Sequence, residues 1–145
     1  MQPFQDVFRS LSVHEVRYLV VGGVAAIVHG VPRTTFDLDL LVGADEANAR
    51  RLLAELESAG LGSAALTSPE AVIAHEITVL KDRIRVDLLT TIPGVRFEDA
   101  WTRREKRSLD GIDYWIISRA DLIAAKWASG CPRELEDARA LQGLG

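Results

Sequence analysis

At 145 residues, 48% apolar and 26% charged, the chain is long enough for a real hydrophobic core and ordinary in composition for a globular protein. A net charge of −4 excludes a global basic field for nucleic acid and leaves only local basic patches for such contact. The single Cys131 excludes an internal disulfide, and neither a signal-type start nor an apolar run long enough for a bilayer is visible. A soluble cytoplasmic protein without membrane association is therefore expected, with residues 1–145 forming a single domain.

Phe4, Val7, Phe8 and Leu11 recur at helical spacing and predict a short N-terminal helix. RYLVV, residues 17–21, is a β-rich run that stops at Gly22-Gly23. VAAIVHG then predicts a short helix that ends at Gly30, and Pro32 blocks its continuation. FDLDLLV, residues 36–42, is the second strand. ADEANARRLLAELESAG follows as a helix, with Asp45 as N-cap and Ala49, Leu52, Leu53 and Leu56 as its apolar stripe. SPEAVIAH predicts another short helix, opened by Ser68 and Pro69. Residues 76–90, EITVLKDRIRVDLLT, alternate as a hairpin that turns near KDR. Residues 106–118, KRSLDGIDYWIIS, form a second hairpin around Asp110-Gly111. Two helices close the chain over 119–145, one opened by Ser118 and the other following Gly130 and Pro132. The pattern is α+β, a mixed sheet with packed helices rather than a strict βαβ alternation.

The second strand carries two carboxylates. Asp37 and Asp39 share one face, while Leu38 and Leu40 take the other. An unpaired carboxylate in a core costs on the order of several kcal/mol, and two neighbours repel each other. A divalent ion relieves both penalties, and Mg²⁺ is typically held by one or two carboxylates together with substrate phosphates. Asp87 interrupts another apolar strand on the face opposite Ile84, Val86 and Leu88. If that strand lies beside FDLDLLV, three carboxylates converge in a pattern suited to two metal ions, and Asp87 is also placed to accept a proton. The Gly22-Gly23 elbow between strand and helix offers free N–H groups to an anion, and Arg33, Thr34 and Thr35 can add donors. An anion cradle beside an acid cluster describes a site for a nucleoside triphosphate with its Mg²⁺.

The stretch VGGVAAIVHGVPRTTFDLDLLV resembles the signature of the nucleotidyltransferase superfamily: a strand, a glycine pair, a short helix, and an Asp-x-Asp flanked by apolar residues. Thirteen residues, 24 to 36, separate Gly23 from Asp37, a spacing usual in that family, and Asp87 corresponds to its third carboxylate. The Gly-Gly elbow and the Arg-Thr run before the acids look most like the abortive-infection-type toxins, which are similar to type IV toxin–antitoxin components. DLIAAKWASGCPRELEDARAL resembles the family's closing helices. On that resemblance Lys126 contacts the triphosphate, Asp137 sits near the site, and Glu134 stands where the family usually has Asp. The resemblance implies a nucleotidyltransferase-like fold with a mixed, mainly antiparallel sheet. It also implies a Mg²⁺-dependent enzyme with two ions at Asp37, Asp39 and Asp87. Such an enzyme moves a nucleoside monophosphate from a triphosphate to a hydroxyl on a tRNA end or a protein side chain, and an antitoxin partner is implied with it.

Two other functions use the same residues. One is a non-catalytic nucleotide-binding or partner-binding module on this fold. The other is a metal-dependent phosphohydrolase, which usually needs His ligands, and only His29 stands close to the acids in sequence. His29, on an apolar helix, reads as a hydrogen-bonded packing residue, and His14 and His75 lack a partner at metal-ligand spacing. Arg33 suits a salt bridge as well as a phosphate, Lys126 suits a solvated helix face, and Asp137 suits a pair with a neighbouring Arg. Trp101, Trp115 and Trp127 read as core anchors. TRREKR, residues 102–107, reads as a solvated basic face that can also meet RNA phosphates.

Overall fold

The computed structural model describes residues 2–13 and 15–143, so His14 lies outside the described residues. A 3₁₀ turn, Gln2–Phe4, leads into α1 (Gln5–Val13), which buries Val7, Phe8 and Leu11. Then come β1 (Tyr18–Val21), α2 (Gly22–Val28), β2 (Asp37–Val42) and α3 (Glu46–Ser58). The Asp45 side chain accepts from Asn48 N–H and so caps α3, and the Ser68 hydroxyl does the same at Ala71 for α4 (Pro69–Ala74). The hairpins are β3 (Ile77–Lys81) with β4 (Arg85–Leu89), and β5 (Glu105–Leu109) with β6 (Ile112–Ile116). Asp110 and Gly111, both at positive φ, make the tight turn of the second hairpin. Helix α6 (Arg119–Ser129) is capped by Ser118, and α7 (Pro132–Gly143) closes the chain.

Two elements were not expected, a 3₁₀ turn at Gly62–Leu66 and a short helix near residue 100. α5 (Phe97–Thr102) has no side-chain cap at Arg96. Its aromatic residues hold it instead: Phe97 stacks on Trp101 at 5.7 Å, and the Arg17 guanidinium covers both rings at 5.1 and 5.7 Å.

The six strands lie in the order β3-β4-β2-β1-β6-β5. β1/β2, β3/β4 and β5/β6 are antiparallel, while β2/β4 and β1/β6 are parallel, so the sheet is mixed and mainly antiparallel. Register divides its two faces. Val20, Leu38, Leu40, Val86, Leu88 and Ile116 share one face and are all fully buried. On that side Phe8 of α1 stacks on Tyr114 at 4.4 Å. Val21, Asp37, Asp39, Arg85 and Asp87 share the other face. The fold thus has one face that is apolar across its central strands and one that carries its acids where β1 ends and β2 and β4 begin. Among the described residues no helix is long and apolar enough to cross a membrane.

Candidate active site

The parallel register of β2 and β4 sets Asp39 directly opposite Asp87, and Asp37 opposite Arg85. Asp39 is also the partner of Val21, the last residue of β1, so the glycine elbow arrives beside its carboxylate. Gly22 is the first residue of α2 and has φ +67°. A Cβ there would overlap Asp39 Oδ2 and lie 3.0 Å from its Cγ. At Gly23 a Cβ would lie 3.0 Å from Thr35 Oγ1. The two glycines therefore let the elbow close on Asp39 and Thr35, while Thr34 is exposed. Gly22→Ala should destabilise the protein by about 2–4 kcal/mol, from the left-handed backbone plus the collision. Urea unfolding checks this, and a loss under about 0.5 kcal/mol would show that the elbow tolerates a side chain.

Asp87 is 6% exposed. Asp39 has its pKa pushed up to about 7. Burial is the main cause, followed by the negative charges of Asp87, Asp37 and Glu134, with the Arg85 cation opposing them. The Arg85 fork bonds both Asp87 oxygens, at 2.9 Å from Nε and 3.1 Å from Nη2, and its Nε lies 3.9 Å from Asp37 Oδ2. Among the described residues no three Asp, Glu, His or Cys side chains already form a cage for a metal ion. The cation between Asp37 and Asp87 is Arg85. The donor set around it is all carboxylate oxygen, the chemistry that a hard divalent ion takes.

The closing helices bring a second charged cluster to this face. Lys126 is 2% exposed, so it is not a solvated helix residue. Its Nζ lies 2.8 Å from Glu134 Oε2 and 2.9 Å from Asp137 Oδ2. Arg33 bonds the same Asp137 oxygen, the salt bridge that was one of its two expected roles. Sequence reasoning left Glu134 and Asp137 without definite roles and did not single out Arg85. The signals were present: Glu134 and Asp137 are three residues apart on one helix face, and Arg85 precedes Asp87 by two on a strand.

The basic run at 102–107 is the solvated face expected of it, with Arg103 and Lys106 exposed, and several of its cations also have partners within the molecule. Arg103 makes two 3.0 Å bonds to Asp121, Arg104 lies over Trp101 and Trp115 at 4.0 and 4.3 Å, and Arg107 pairs with Glu105. Trp101 and Trp115 pack edge to face, but Trp127 is 39% exposed under Arg139 and anchors no core. His29 Nε2 lies 2.9 Å from Ile117 O, the packing contact expected of it, and Cys131 is exposed.

Cavities flank the acids on two sides. One of about 160 Å³ is bounded by Gly22, Asp39, Lys126 and Glu134, with Leu89, Ile92 and Leu122 as an apolar wall. It has room for part of a nucleotide rather than all of it. One of about 460 Å³ is bounded by Thr35, Phe36, Asp37, Lys81 and Arg85. Phe36, the residue before Asp37, is 86% exposed there. A further cavity of about 550 Å³, lined by Arg17, Arg104, Trp101 and Trp115, lies where β1 begins, at the other end of the strand from the acids.

A family model described as nucleotidyltransferase of unknown function (DUF6036) matches residues 4–142. The crystal structure of a "putative nucleotidyltransferase" from Thermotoga maritima is similar to the chain with a TM-score of 0.62 at 15% identity, covering 99% of this chain and 90% of that one. At that identity the likeness concerns the fold. No curated protein matches the chain in sequence.

Proposed function

Since the chain belongs to the nucleotidyltransferase family of unknown function DUF6036, we propose that it transfers a nucleoside monophosphate from a nucleoside triphosphate to a hydroxyl acceptor, with Mg²⁺ held by Asp37, Asp39 and Asp87. The observation that carries this reading is the pairing of Asp39 with Asp87 across β2 and β4, with Asp37 on the same face and Gly22 against Asp39. The carboxylate donors suit a hard divalent cation, and the Arg85 guanidinium already stands in for a positive charge among them. When bound, the metal would neutralise charge on the α-phosphate and on the attacking oxygen.

The chain's own residues would do the rest. Gly22 and Lys126 border the cavity on the Asp39 side, and the Lys126 ammonium with the N–H groups of the Gly22-Gly23 elbow would hold the triphosphate there. Arg33 acts through Asp137, which fixes Lys126, and Thr35 supports the elbow at Gly23; Thr34 remains a candidate phosphate donor. The cavity on the other side of the acids, with Phe36 and Lys81, would receive the acceptor. The acceptor oxygen forms a bond to the α-phosphorus, the bond from that phosphorus to the bridging oxygen breaks, and pyrophosphate leaves. Asp87 takes the hydroxyl proton. Positioning and charge neutralisation then supply most of the acceleration. A tRNA end or a protein side chain offers the hydroxyl, and a place in a toxin–antitoxin pair belongs to the same proposal.

The test is label transfer. The protein is incubated with each α-labelled nucleoside triphosphate, Mg²⁺, and total RNA or a lysate. Label should move to RNA or protein and should vanish with Asp37→Ala. The Arg85 fork on Asp87 favours one alternative, a module that binds nucleotide without turning it over. Mg²⁺-dependent nucleotide binding without transfer to any acceptor would support that module and contradict the enzyme.

A further inference from the structure

Arg85 and Asp87 share one face of β4, yet they differ sharply in exposure. The Asp87 side chain is 9% exposed and that of Arg85 is 41%. Breaking their paired hydrogen bonds is therefore asymmetric. A guanidinium that turns away regains water at once, whereas Asp87 left alone is a buried unpaired charge. Asp87 needs a cation at all times, but nothing in its surroundings requires that cation to be Arg85. The guanidinium also has somewhere to go, because Arg85 lines the cavity of about 460 Å³ beside Thr35, Phe36 and Lys81.

We propose that Arg85 is an exchangeable counter-ion. It holds Asp87 in the metal-free protein, competes with the divalent cation for that carboxylate, and on yielding it turns to an anionic group of a substrate in the adjoining cavity. This rests on the metal reading of the three carboxylates given above. A purely structural clamp has the opposite signature. Removing a clamp loosens Asp87 and weakens metal binding, whereas removing a competitor strengthens it.

Mn²⁺ serves as the probe, with its binding followed by electron paramagnetic resonance in the absence of nucleotide. The full chain is compared with Arg85→Gln and Arg85→Lys, and Asp87→Asn marks the site. Arg85→Gln should bind Mn²⁺ at least about tenfold more tightly than the unaltered chain. Arg85→Lys keeps the charge but loses the fork, and should fall between them. Equal or weaker binding by both Arg85 variants, at a site that Asp87→Asn still abolishes, overturns the exchange and leaves the metal reading standing. No Mn²⁺ site sensitive to Asp87→Asn in any of these proteins overturns both. Should Arg85→Gln fail to fold, Arg85→Lys and the Arg85 Nε–H resonance of the unaltered protein decide. That resonance should move when Mg²⁺ is added, and an unmoved signal overturns the exchange.

Discussion

In the Asp39→Asn variant, nucleotide transfer should fall by about 10²–10³-fold or more while the metal-free fold becomes firmer. The two effects share a cause. Asp39 sits against Gly22 and opposite Asp87, and burial with three neighbouring acids raises its pKa from 3.8 to about 7. Asparagine keeps the shape and removes the charge that a metal needs. The sign of the pH dependence follows from the direction of the shift. In the unfolded chain the carboxyl loses its proton near its ordinary value of 3.8, and in the folded chain near 7. Between those values the folded state binds more protons, so stability falls as pH rises, and the loss is complete above about 7. The full penalty is on the order of 4 kcal/mol. Urea unfolding in the presence of a chelator should give equal stabilities for the two proteins below about pH 4. A gap in favour of Asp39→Asn should then open up to about pH 7 and stay level beyond it. Parallel stability curves from pH 4 to 8 would mean that Asp39 is not held against its neighbours as described.

The second large effect is expected at Asp137. Its carboxylate serves both Lys126 and Arg33 and is 5% exposed. In Asp137→Asn the Lys126 ammonium keeps only Glu134, and Arg33 loses this charge partner. Breaking a buried ion pair from one side costs about 3–5 kcal/mol. For a chain of this length that corresponds to a fall in Tm of roughly 10 °C. Replacing both charges, with Lys126→Met and Asp137→Leu together, should recover much of that stability, because the desolvation penalty disappears with the ions. It should not recover triphosphate binding, which under the proposed function needs the ammonium. A Tm for Asp137→Asn within about 2 °C of the unaltered protein would remove the cluster from the account. Restored nucleotide binding in the double variant would remove Lys126 from the site.

Local rules made much of this molecule legible in the sequence. The side chains of Asp45, Ser68 and Ser118 cap the helices they were expected to open. Asp110-Gly111 turns its hairpin, and alternation along FDLDL and IRVDL separated apolar from acidic positions before any strand pairing was known. What stayed hidden depends on groups far apart in the chain. Lys126 reads as one more cation on a helix until α7 folds back to place Glu134 and Asp137 around it. Arg33 and Asp137 are 104 residues apart. α5 has no cap to announce it and owes its place to the packing of Phe97, Trp101 and Arg17. Trp127 looks like a core residue by type, yet it is partly exposed beneath Arg139. Arg85 was within reach of a local rule, because a strand position two before an acid shares its face, just as Glu134 and Asp137 share a helix face three residues apart.

The most direct measurement is a crystal structure of the protein with Mn²⁺ and a non-hydrolysable nucleoside triphosphate, located by the anomalous signal of the metal. Metal bound to the carboxylates of Asp37, Asp39 and Asp87, with phosphates against Gly22 and Gly23, is the predicted result. Metal and triphosphate bound elsewhere, with the Arg85 fork still closed on Asp87, would contradict it.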